Sequence, residues 1–118
     1  MSRSAPVSVV ETPEFLAAAG RIMDEEERGS LVDYLARNPL AGDLIQGTGG
    51  VRKLRWALAG RGKRGGARVI YYFHSSDMPL FALTAYAKNE RADLSQADRN
   101  DFRRLTALLV ERYARRTR

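Results

Sequence analysis

Three strand-like runs in close succession constrain the fold of this 118-residue chain most strongly. Residues 51–58, 67–74 and 80–86 are rich in β-branched, aromatic and aliphatic residues. A glycine-rich segment at 60–66 and the turn SSDMP at 75–79 separate them. Because connections this short join antiparallel neighbours, the pattern predicts two consecutive hairpins, that is, an antiparallel meander.

Capping signals before the meander predict a strand followed by a helical hairpin. Residues 7–10 form a short run rich in β-branched residues, which predicts a strand. Thr12 and Pro13 then have the pattern of an N-cap followed by proline at the first helical position. Asp24 with Glu27 three residues later resembles a capping box for a second helix. The Asn38-Pro39 pair predicts the end of that helix, because a residue before proline disfavours helical geometry.

The C-terminal part of the chain predicts a third helix. Ser95 and Asp98 have the spacing of a cap, and apolar residues follow on one helical face: Phe102, Leu105, Leu109 and Tyr113. We interpret residues 38–50 as a loop in which Leu44 and Ile45 pack onto the core. The chain is therefore expected to form one domain over residues 1–118, with an α+β fold of element order βααβββα.

The composition excludes several kinds of site. The chain has no cysteine and one histidine, so disulfides, thiolate metal sites, cysteine nucleophiles and multi-histidine metal sites are excluded. No apolar run has the length of a membrane span or an export signal, so we expect a cytoplasmic protein without membrane contact. The net charge of +6 favours a polyanionic partner such as nucleic acid.

The charge concentrates in residues 51–73, which contain seven cations and no acidic residue. The glycines at 60, 62 and 65 match a G-x-G-x-x-G pattern, but a strand follows them where a dinucleotide site requires a helix. The GTGG run at 47–50 lacks the lysine of a phosphate-binding P-loop. The segment 60–66 is then either a plain hairpin connection or a mobile clamp in which Arg61, Lys63 and Arg64 contact RNA phosphates.

Strand alternation assembles three of these cations. Leu54 and Trp56 should face the core, so Lys53 and Arg55 should project from the other face of the same strand. Arg68 begins the partner strand and should lie opposite the middle of residues 53–58. These cations form either a solvated basic face or an anion site.

Three sequence blocks strongly resemble HigB-type toxins of the RelE/ParE toxin superfamily. They are DLIQGTGGVRKLR, GKRGGARVIYYF and LTAYAKNERADLS, and the resemblance spans about residues 25–105. It implies the RelE-like form of the βααβββα fold. It also implies a type II toxin that enters the ribosomal A site, cleaves the mRNA there and inhibits translation. Its partners would be the ribosome, mRNA and a cognate antitoxin, which usually has a helix-turn-helix DNA-binding domain. The toxin would contact operator DNA only indirectly, through this antitoxin.

The resemblance assigns site residues position by position. The paired basic positions of the family fall on Lys53 and Arg55, and the arginine that opens its R-[VIL]-[VI]-Y motif falls on Arg68. The chain departs from the best-known RelE members at Asn89, where they have arginine, and at Ser95, where they have tyrosine. Further RNA or phosphate contacts are expected from Arg52, Arg61, Lys63, Arg64, Lys88 and Asn89.

The chemistry of RNA cleavage suggests a role for each of the three central cations. Attack by the 2′-hydroxyl requires a proton acceptor, stabilisation of the phosphorane charge and a proton donor for the 5′-oxygen. Arginine stays protonated, so Arg55 and Arg68 suit the scissile phosphate, whereas Lys53 suits proton transfer. Flanked by Arg52 and Arg55, Lys53 is expected to experience like-charge repulsion. Neither metal nor cofactor is required.

Two other functions remain open from the sequence. A DNA gyrase inhibitor of the ParE type would share the fold, and a non-catalytic RNA-binding module would use the same cations only to grip phosphates.

Overall fold

The computed structural model describes residues 5–58, 66–91 and 93–116 and contains three helices and five strands. The elements in chain order are β1 (Val9–Glu11), α1 (Pro13–Gly20), α2 (Glu25–Arg37), β2 (Asp43–Leu44), β3 (Val51–Trp56), β4 (Ala67–Tyr72), β5 (Leu80–Ala87) and α3 (Gln96–Arg116). The strands form a single mixed sheet in the order β1-β5-β4-β3-β2. This arrangement confirms the α+β fold class.

The meander of β3, β4 and β5 is antiparallel, as predicted. The sheet differs from the expected one at both edges. At one edge β1 pairs with β5 in parallel. In sequence, β1 is separated from the other strands by α1 and α2, so it does not form a hairpin with a neighbouring strand. At the other edge the two residues of β2 pair with β3, in a segment that we expected to be a loop.

The three predicted helix starts are confirmed by their caps. The Thr12 hydroxyl oxygen accepts a hydrogen bond from the Phe15 amide at 3.1 Å, and an Asp24 carboxylate oxygen accepts one from Glu27 at 2.8 Å. Ser95 and Asp98 exchange reciprocal hydrogen bonds at 3.0 and 3.1 Å, which form a capping box at the start of α3. These bonds satisfy backbone amides that a helix leaves without a partner.

The helices cover the two faces of the sheet with separate apolar clusters. Helices α1 and α2 pack Phe15, Leu31 and Leu35 against one face, and each of the three is fully buried. Helix α3 covers part of the other face, against the side chains of Val51, Ile70, Tyr72 and Phe81. Burying a side chain of this size stabilises the fold by about 1.5–3 kcal/mol.

The segment before β3 follows the sequence expectation only in part. Ile45 is buried in the α3 cluster, as predicted, but the prediction for Leu44 was wrong because its side chain is 63% exposed. Leu44 lies in β2 at the sheet edge, and consecutive strand residues point to opposite faces. Only one of the two neighbours can therefore reach the core.

Candidate functional site

A row of polar side chains crosses the sheet beside the area that α3 covers. Arg55 on β3 is paired with Arg68 on β4, and Arg68 is paired with Tyr86 on β5. Lys53 lies two residues from Arg55 on the same face of β3. We call Lys53, Arg55 and Arg68 the cation cluster. Alternation along β3 and the register between β3 and β4 thus place the three cations as the sequence indicated.

Arg55 and Arg68 form a like-charged pair directly across two strands. Such a pairing destabilises a sheet, since the two charges repel. Within the part of the chain that the structure describes, neither guanidinium forms an ion pair with a carboxylate. Arg55 is exposed and Arg68 is partly buried, with its Nη1 atom donating to the Ala67 carbonyl at 3.2 Å. The pair therefore has donors available for an anion.

Two shallow depressions meet at Arg55. Arg68 and Lys88 border the first, together with Trp56 and Gly66. Lys53 and Arg99 border the second, together with Asp93 and residues of the β2 region. Because Arg55 lines both, the two depressions are continuous with the cation cluster. A groove bordered by five cations suits a negatively charged chain with several phosphates.

Asp93 is the counter-ion of this groove and was not anticipated from the sequence. Its carboxylate oxygens lie 3.4 Å from the Lys53 ammonium nitrogen and 3.2 Å from Arg99 Nη2. Arg99 also donates to the Gln46 carbonyl at 3.1 Å, which links α3 to the loop before β3. Lys53 therefore has a carboxylate as well as cations beside it. The expectation that it experiences only like-charge repulsion does not hold.

The other predicted contact residues do not all join the cluster. Arg52 lies on the opposite face of β3, where its Nη1 atom donates to the carbonyls of Gly42 at 2.7 Å and Leu40 at 3.3 Å. Lys88 borders the groove, and the exposed Asn89 is in the turn that follows β5. Arg61, Lys63 and Arg64 lie outside the described residues. The roles of all six as RNA contacts stay predictions.

Tyr86 is the second residue of the site that sequence reasoning missed. Its ring is buried on the same face as Arg68, and the Arg91 guanidinium carbon lies 5.4 Å from the ring centroid. Desolvation by burial raises the pKa of its hydroxyl above the usual 10.0. The phenol is therefore neutral at physiological pH and can donate a hydrogen bond.

Within the described segments, no group of side chains has the composition of a metal site, and no helix is long and apolar enough to cross a membrane. The chemistry of the groove is that of guanidinium, ammonium, phenol and carboxylate groups.

We predict that Asp93 and Asp98 make stability depend on pH under acidic conditions. The pKa of each carboxyl is lowered, in Asp93 chiefly by the Leu94 amide and further by Lys53 and Arg99, and in Asp98 chiefly by the Ser95 amide. A carboxyl with a lower pKa in the folded protein stabilises it above the unfolded pKa, and this contribution is lost as pH falls through the folded pKa. Free energies of unfolding measured from pH 5 to pH 2 should fall less steeply in an Asp93→Asn, Asp98→Asn double variant. Parallel curves for the two proteins would contradict this.

A family model matches most of the chain. The family model described as RelE toxin of the RelE / RelB toxin-antitoxin system matches residues 21–116. The matched segment begins just before α2 and contains the complete cation cluster, Tyr86 and Asp93.

Proposed function

The chain belongs to the RelE toxin family, and on this premise we propose that it is a HigB-type toxin that cleaves mRNA on the ribosome. The family implies an antitoxin partner. The proposal extends further, to a single-domain toxin acting in the cytoplasm, where the ribosome is, and to an antitoxin with a helix-turn-helix domain.

The pairing of Arg55 with Arg68 is the observation that carries this proposal. The strand register pairs two residues with permanently charged, planar guanidinium groups, and neither group has a carboxylate partner in the described chain. Each can donate two parallel hydrogen bonds to a phosphate, and together they can contact a phosphate from two sides. Repulsion between them is relieved when an anion binds. This arrangement supports a role in stabilising the extra charge of a phosphorane.

The proposed reaction uses the RNA itself as nucleophile. The 2′-hydroxyl loses its proton and attacks the adjacent phosphorus, and the bond from phosphorus to the 5′-oxygen breaks. The departing 5′-oxygen takes up a proton, so the products are a 2′,3′-cyclic phosphate and a 5′-hydroxyl. Lys53 is the member of the cation cluster that can exchange a proton, and its contact with Asp93 supports a fixed position beside Arg55. No step requires a metal ion or cofactor.

Toe-printing of an mRNA on ribosomes exposed to the purified protein tests this function. We expect cuts within the codon in the A site, and no cuts in the same mRNA without ribosomes, because the ribosome would orient the RNA in the groove. The two alternative functions predict different results. Stalling without cuts would indicate a binding module, and DNA damage with normal translation would indicate a gyrase inhibitor, so either would contradict the proposal.

A further inference from the structure

Tyr86 has a buried hydroxyl that lacks a partner within the described chain. The residue is 7% exposed, and its Oη atom is inaccessible to water and forms no hydrogen bond there. Two other buried tyrosines of the sheet differ. The hydroxyl of Tyr71 donates to the Pro39 carbonyl at 2.9 Å, and that of Tyr72 lies 3.3 Å from His74 Nδ1.

A buried hydroxyl without a partner costs free energy of folding, since it has lost its bonds to water. Phenylalanine would fill the same space without this cost. Most buried polar groups in native proteins form hydrogen bonds, so an exception at a candidate active site points to a partner from outside the described chain.

The position of Tyr86 indicates what that partner is. Across β4 and β5 its backbone is paired with that of Arg68, and its side chain lies on the face of the cation cluster. The charges that act on its hydroxyl are those of Asp93, Arg91, Arg68 and Asp98. The phenol is therefore within electrostatic range of Arg68 and of Asp93, the carboxylate that contacts Lys53. A neutral phenol donates a strong hydrogen bond to an anionic oxygen.

We propose that Tyr86 is a further substrate-contacting residue, whose Oη donates a hydrogen bond to an oxygen of the RNA phosphate held by Arg68. This inference rests on the proposed function. Arg91, which is exposed and lies over the ring, is held by Asp98 at 3.3 Å in the free protein. When RNA binds, Arg91 exchanges this carboxylate for a phosphate, and its movement opens the hydroxyl to the substrate.

The test is the Tyr86→Phe variant, which removes only the hydroxyl oxygen. Single-turnover cleavage on programmed ribosomes should be slower by about a hundredfold, as for the loss of one donor to a developing oxyanion. The melting temperature should be unchanged or higher, because the removed hydroxyl has no partner among the residues that the structure describes. Tyr72→Phe is the matched control, since it also removes a buried hydroxyl from this face but under α3; it should cleave at the wild-type rate.

A second measurement separates this inference from the proposed function. A short RNA with a 2′-deoxy substitution at the cleavage site binds without being cut, and Tyr86→Phe should weaken its binding by about tenfold. If the wild-type protein does not cleave mRNA, the proposed function is wrong. The role of Tyr86 is then tested by comparing the affinities of the wild-type protein and the Tyr86→Phe variant for the 2′-deoxy RNA. Unchanged cleavage with unchanged affinity overturns the inference, as does a lower melting temperature, because that would show a structural partner for the hydroxyl.

Discussion

Replacing Arg68 by alanine should abolish mRNA cleavage and toxicity while the protein stays folded. Arg68 is a partly buried residue that is not a member of either apolar cluster, and it is paired with Arg55 in the sheet register. Its removal therefore leaves no core cavity and relieves a repulsion, so the melting temperature should barely change. Loss of a charge that acts mainly on the transition state commonly lowers a rate by about a hundred- to a thousandfold.

Two further variants make this experiment specific. Arg68→Lys should restore little activity, because an ammonium group is a point charge and cannot donate the parallel hydrogen bonds of a guanidinium. Arg37→Ala is the matched control: it removes an exposed guanidinium from α2, which covers the opposite face of the sheet, and should cleave normally. Circular dichroism, ribosome binding and single-turnover cleavage would be measured on the same preparations. A folded Arg68→Ala variant that cuts at the wild-type rate would remove Arg68 from the site.

The elements that the sequence predicted well are those with local causes. Thr12, Asp24 and Ser95 cap helices because each side chain bonds to an amide three residues along the chain. Alternation along β3 likewise depends only on the strand period, and it is sufficient to put Lys53 and Arg55 on one face. The pairing of Arg55 with Arg68 followed because the hairpin length limits the register.

The elements that it predicted poorly depend on distant parts of the chain. The two residues of β2 become a strand only because β3 offers an open edge, and two residues carry no periodicity of their own. Asp93 meets Lys53 across 40 positions of sequence, which no spacing rule covers. Tyr86 was missed because the register between β4 and β5 shifts between Ile70 and Tyr71, so simple alternation along β5 assigns faces wrongly.

The GTGG segment at residues 47–50, which does not match a P-loop, has a structural role instead. Thr48 is fully buried, and its hydroxyl donates to the Ile45 carbonyl at 2.7 Å and accepts from the Val51 amide at 3.0 Å. Thr106 of α3 lies against this turn, with Oγ1 at 3.2 Å from the Thr48 carbonyl. The turn thus joins α3 to the start of β3, and Gln46 beside it borders the groove of the cation cluster.

We expect Gly49→Ala to destabilise the protein strongly at this junction. Gly49 has a φ of +79°, and a Cβ added there would clash with Thr106 Oγ1. A left-handed backbone costs a residue with a side chain roughly 1–2 kcal/mol, and forcing atoms into a packed site typically adds about 1–3 kcal/mol. The free energy of unfolding should therefore fall by about 2–5 kcal/mol in urea denaturation.

Gly47→Ala separates the two causes of this loss. Gly47 has nearly the same φ, +81°, but an added Cβ would meet no atom within 4 Å. Gly47→Ala should therefore lower the free energy of unfolding only by the cost of the left-handed backbone, about 1–2 kcal/mol. Removing Thr106 Oγ1 as well, in a Gly49→Ala, Thr106→Ala double variant, should recover part of the lost stability, so the double-mutant cycle should give a favourable coupling energy. Equal losses for Gly47→Ala and Gly49→Ala, without coupling to Thr106, would show that backbone strain alone makes glycine necessary at position 49.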